Sequence, residues 1–123
     1  MAVMQSRDNR TFIAGEDLSS AQFKFVTLES DGQVDLADSA GENAIGVCIV
    51  GAGAGKAVTV TVSGSVMVTC GGTIAAGAAV QTDASGDALT AATGDVILGY
   101  AREAGVDGQI IEIEMIQGGN LAA

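Results

Sequence analysis

Gly51-Ala-Gly-Ala-Gly-Lys56-Ala57 comes nearest in this chain to a chemical motif, a glycine-rich loop ending in lysine. A phosphate-binding loop needs Gly, four residues, Gly-Lys and then Ser or Thr, followed by a helix whose amino terminus holds the anion. Here Val50 stands at the first glycine position and Ala57 at the hydroxyl position. A Val/Thr alternation follows, which predicts a strand where the motif needs a helix. A lipoyl- or biotin-carrying lysine would sit at a tight hairpin tip within a characteristic local sequence, and the loose Gly/Ala run before Lys56 does not match it. The segment reads as an inter-strand loop.

The remaining reactive groups are sparse. With no His in the chain, Ser-His-Asp and Cys-His nucleophiles are excluded by counting. Cys48 and Cys70 lie in apolar strand-like runs and read as buried thiols, too few for a structural zinc site. Asp31, Asp35 and Asp38 are unevenly spaced and lack the closing Glu of a calcium loop. Asp83, Asp87 and Asp95 fall in predicted turns. Glu112 and Glu114 alternate with Ile111, Ile113 and Met115, which predicts both acids on the solvent side of one strand. Phe12, Phe23, Phe25 and Tyr100 are all the aromatics, too few for a stacking platform. The expectation is therefore a protein that is not an enzyme, with no catalytic, metal or cofactor-binding residues and no cofactor.

The elements that would carry any site are strands. Apolar residues make up 48% of the 123-residue chain but aromatics only 3%, so the core must come from Val, Ile, Leu, Ala and Met. Strands are predicted near 22–28, 33–37, 44–50, 57–63, 65–70, 79–82, 88–91, 96–102 and 109–116, each bounded by Gly, Asp, Ser or Asn. Short strands at this spacing imply a sandwich or barrel. Val58, Val60, Val62, Val66 and Val68 all share one parity. A two-residue turn at Gly64-Ser65 would swap the valine face, so one long strand bent at Gly64 is predicted.

An internal near-repeat organises these elements. Val26-Thr-Leu-Glu-Ser-Asp-Gly-Gln-Val-Asp-Leu-Ala37 aligns with Val80-Gln-Thr-Asp-Ala-Ser-Gly-Asp-Ala-Leu-Thr-Ala91, matching Gly32 to Gly86 and Ala37 to Ala91. Gly46 then matches Gly99, and the alternating strands Val58-Val60-Val62 and Ile111-Ile113-Met115 close each copy. Ser30-Asp31-Gly32 and Ser85-Gly86-Asp87 supply hairpin tips. Gly46 and Gly99, inside apolar strands, predict a bulge or a close approach of another backbone. The fold class is all-β, a small barrel or sandwich built from two similar strand-hairpin units, with an extended N-terminal arm. The predicted organisation is a flexible arm over 1–20, a barrel domain over 21–117 and a flexible tail over 118–123.

Charge separates the arm from the body. Net charge is −10, all of it in residues 25–123, while residues 1–24 are neutral. An acidic body repels phosphate backbones, so nucleic acid is not an expected partner. No run reaches the roughly 18 apolar residues of a membrane span, and residues 1–10 lack the apolar stretch of a secretory signal, so no membrane partner is expected.

Ile45-Gly-Val, a Gly-rich loop, and Ala57-Val-Thr-Val-Thr-Val-Ser-Gly-Ser-Val66 together resemble the capsid decoration (cement) proteins of tailed phages. So do Ile74-Ala-Ala-Gly-Ala-Ala-Val-Gln-Thr-Asp-Ala-Ser-Gly-Asp-Ala-Leu89, Val96-Ile-Leu-Gly-Tyr-Ala101 and the closing alternating strand. The likeness runs over about 22–116, and the order of the blocks is more specific than any one block. It implies a structural virion protein on the outer capsid surface, made in the host cytoplasm, which stabilises the shell by bridging subunits of the phage major capsid protein. It also implies a homotrimer, with a dimer as the alternative. Arg7, Arg10, Phe12 and Ile13 are the expected capsid-binding residues of the arm, pairing with a strand edge on the capsid. The alternative function is a β-barrel binding module or adhesin that recognises a cell-surface glycan.

Overall fold

A computed structural model describes residues 6–116 and 121–122, with side chains from Asp8 onward. Of the predicted arm and tail, residues 1–5, 118–120 and 123 lie outside the described residues. Nine strands run in chain order: β1 Ser6–Ile13, β2 Lys24–Leu28, β3 Val34–Leu36, β4 Gly46–Val50, β5 Ala57–Thr69, β6 Ala79–Thr82, β7 Ala88–Thr90, β8 Gly99–Ala101 and β9 Ile110–Met115. The all-β class holds, and among the described residues there is no helix.

Pairing in the sheet follows the order β3-β2-β4-β5-β9-β8-β6-β7, with β1 on the first half of β5. The two halves repeat one another. β3-β2-β4 leads to the start of β5, as β7-β6-β8 leads to β9. Loop hydrogen bonds repeat too: Ala37 N–H donates to Phe25 O at 3.0 Å and Ala91 N–H to Ala79 O at 2.8 Å. Leu18 N–H donates to Ala52 O at 2.9 Å, and Ile74 N–H to Gly105 O at 2.9 Å.

That second pair extends the repeat beyond the near-repeat legible in the sequence. Gly55 N–H donates to Ala14 O, and Gly108 N–H to Cys70 O. Ala14 bridges Val34 in parallel, as Cys70 bridges Ala88. By these bonds β1 is the counterpart of the second half of β5, so Ser6–Ile13 is the first strand of the first unit. Thr11-Phe12-Ile13 pairs with β5 of the same chain, with Phe12 opposite Val58 and Ile13 opposite Ala57.

β5 is one strand, bent where Gly64 takes φ 86°. A residue with a Cβ is strained in that region, and Gly is not. The bend lets one valine face serve two cores. Val58, Val60 and Val62 pack with Ala14, Leu18, Val26, Val34 and Cys48. Val66 and Val68 pack with Cys70, Ile74, Val80, Leu98, Ile111 and Ile113. The expected close approach at the strand glycines is also present. A methyl group on Gly46 would fall on the Thr61 carbonyl oxygen, and one on Gly99 on the counterpart carbonyl of Glu114.

A sequence expectation fails in β9. Glu114 is exposed, but Glu112 is 5% exposed, covered by the Arg102 guanidinium at 3.0 Å from its carboxylate. The β8–β9 connection folds back over this strand, with Glu103 accepting a hydrogen bond from Glu112 N–H at 3.1 Å. Alternation identified the two acids as sharing a face, and the connection decided which of them met water.

Candidate interaction surface

The four expected arm residues share one edge strand, and of them Arg10 and Phe12 meet along one hollow. The Arg7 backbone lies in β1, and its side chain is outside the described residues. Arg10 is turned along its own strand, its guanidinium 2.9 Å from Asp8 in an exposed ion pair. Phe12 is half-buried against the first core. Ile13, 42% exposed, points away from it. One edge of β1 is taken up by β5, and no other strand pairs along it among the described residues apart from the Ala14–Val34 bridge.

Beside β1, the first unit opens to solvent through two adjoining hollows of about 460 and 450 Å³. Arg10, Phe12 and Val62 line the first, Thr27, Glu29 and Glu42 the second, and Leu28 and Ile45 belong to both. The floor is apolar and the rim acidic. Partial desolvation, followed by the charge of Asp35, pushes the Glu29 carboxyl above the usual range. Sequence reading did not find these hollows. Leu28 and Ile45 looked like ordinary strand apolar residues, and only the missing cover over them distinguishes the place.

Chemistry is thin elsewhere. Lys56 is exposed, and the turn before it runs directly into β5. Cys48 and Cys70 are free, buried thiols, and burial pushes both above the usual thiol range. Among the described residues no group of three or more Cys, Asp or Glu could hold a metal ion. What this surface offers is an open strand edge and an apolar hollow, which are docking features.

A family model described as phage cement protein matches residues 4–114, nearly the whole chain. The chain belongs to the phage cement protein family. This cement-family chain also shares its fold with a solved structure, "The crystal structure of head fiber gp8.5 N base in bacteriophage phi29". The TM-score is 0.70 at 17% identity, over 89% of this chain and 93% of that one. No curated protein matches the chain. Membership of that family makes it a structural protein of a phage virion, located with the capsid.

Proposed function

We propose that the chain sits on the outer face of an assembled capsid and stabilises the shell by bridging neighbouring major capsid protein subunits, after synthesis in the host cytoplasm. Membership of the cement family carries this reading. The open edge of β1 supports it physically: backbone N–H and C=O groups there can pair with an extended capsid segment, with Arg7, Arg10 and Ile13 beside it and Phe12 anchoring the strand from below. Many such contacts on one rigid lattice add through multivalency, so each can be weak. The expected oligomer is a trimer, with a dimer as the alternative. The glycan-binding alternative gains no support, since among the described residues Tyr100 is the one exposed aromatic.

Co-sedimentation with undecorated capsids tests the role of β1. Because Phe12 and Ala14 pack on the core, deletion of the strand would damage the fold, and substitution of exposed Arg10 and Ile13 is the cleaner probe. The double variant R10E/I13D should fold yet lose at least tenfold in capsid affinity. Undiminished binding would rule β1 out as the capsid contact.

A further inference from the structure

The two units touch in one direction only. Phe25, Ala37, Ala44 and Val47, on the outer face of the first unit, join the second core. Around them the contact is sewn by backbone: Phe25 N–H donates to Gly86 O, Gly41 N–H to Thr82 O and Val96 N–H to Gly41 O. Lys24 Nζ meets Asp87 at 2.7 Å. Among the described residues the reverse contact is missing. Gly32, the counterpart of Gly86, is exposed with open space around it.

A one-way contact between repeated units leaves one face of each kind uncovered. On the second unit the uncovered face is outer: Ala79, Ala91, Ile97 and Tyr100 are the counterparts of Phe25, Ala37, Ala44 and Val47. None of them is fully buried, and Tyr100 is 42% exposed. On the first unit the uncovered face is the hollowed one. Phe12, Ile45 and Val62 are the counterparts of Val68, Leu98 and Met115, which in the second unit receive the first unit's outer face. Leu28, 49% exposed, is the counterpart of Thr82, whose carbonyl holds Gly41.

We propose that a second copy of this chain docks its Tyr100 face into the Leu28–Ile45 hollow, repeating between chains the contact that joins the two units within one. The occupant is argued from the chain itself, since a matching pair of faces already packs together at the counterpart position. Such a contact is head-to-tail, and it closes into a ring where the rotation between units permits. The C-terminal residues hold the place meanwhile. Gly94 N–H donates to Ala122 O at 2.9 Å, as Gly41 N–H does to Thr82 O, so Ala122 stands where the neighbour's Leu28 would bond. The inference is independent of capsid binding and is tested without capsids.

Light scattering coupled to gel filtration reads the outcome on the purified full chain, on Tyr100→Glu, on Leu28→Glu and on a mixture of the two variants. The unsubstituted chain should have at least twice the mass of one chain, and each variant alone should be monomeric. The mixture should give a two-chain species, because each variant keeps the face that the other has lost. Both residues are exposed, so far-UV circular dichroism should be unchanged. Ala91→Arg and Ile45→Glu supply a second pair should either variant misfold. A monomeric unsubstituted chain at up to about 1 mM, where even millimolar contacts are populated, overturns the proposal. So do variants that keep the parental mass, or a mixture that stays monomeric.

Discussion

The same strand unit occurs twice in this molecule and is buried differently each time. In the first unit β2 and β4 are covered on both faces, with Phe25, Val26, Val47 and Cys48 all at 0% exposure. In the second unit β8 is covered on one face, so Ala101 is at 3% while Tyr100, the counterpart of Val47, is at 42%, and β6 is buried apart from half-buried Ala79. The cores are unequal in the opposite sense. Every buried residue named above from the first core has a buried counterpart in the second, which adds Val66, Val68, Leu98 and the first unit's outer face. Duplication therefore set the strand order, and which face found a neighbour set the energetics.

The largest expected effect separates the two outer faces. Phe25→Ala should cost about 3–5 kcal/mol, because it removes a fully buried aromatic from between the units. Tyr100→Ala should stay within about 0.5 kcal/mol in the isolated chain, as an exposed substitution does. Urea unfolding curves measure both, and similar losses would erase the distinction between the faces. Next come Gly46→Val and Gly99→Val, which should each cost about 3 kcal/mol through overpacking against a carbonyl. These two should match, since the close approach is common to both units. A loss in one alone would mean that the repeat is less faithful than its hydrogen bonds.

Lys24→Ala tests the one-way contact itself. The Lys24–Asp87 pair is partly buried, and its removal should cost about 1 kcal/mol, less at high salt. Gln33, the counterpart of Asp87, faces no such lysine, so Gln33→Ala should be close to neutral on the same curves. The smallest effect is alkaline. Cys48 and Cys70, one in each core, have thiols raised by burial, so the folded state binds protons that the unfolded chain releases above about pH 8.5. Stability should be fully present below that pH and fall as pH rises beyond it. Replacing both thiols by Ala should flatten that decline, and a decline unchanged in the double variant would assign it elsewhere.

Much of this was legible beforehand, for identifiable reasons. The alternating valines placed β5 and its bend, because strand period is local and Gly64 interrupts it without changing parity. Gly32, Gly86, Gly46 and Gly99 marked turns and close approaches because only glycine fits those places. β1 escaped as a repeat member, since Asn9-Arg10-Thr11-Phe12 shares nothing with Ser65-Val66-Met67-Val68 beyond its hydrogen-bonding position. The hollow escaped as well. Leu28 is exposed and Ile45 half-buried because, among the described residues, no unit packs over them.

By itself the chain determined its lack of histidine chemistry, by composition, and its strands after β1, its turns and its duplicated layout, which depend on neighbours a few residues away. The tertiary structure decided that β1 completes the first unit, that Glu112 lies under Arg102, and that one outer face is buried while its twin is only partly covered. Those outcomes depend on which surfaces meet across chain separations that run from ten residues, between Arg102 and Glu112, to more than forty between β1 and β5, and near-identical local patterns carry no record of that choice.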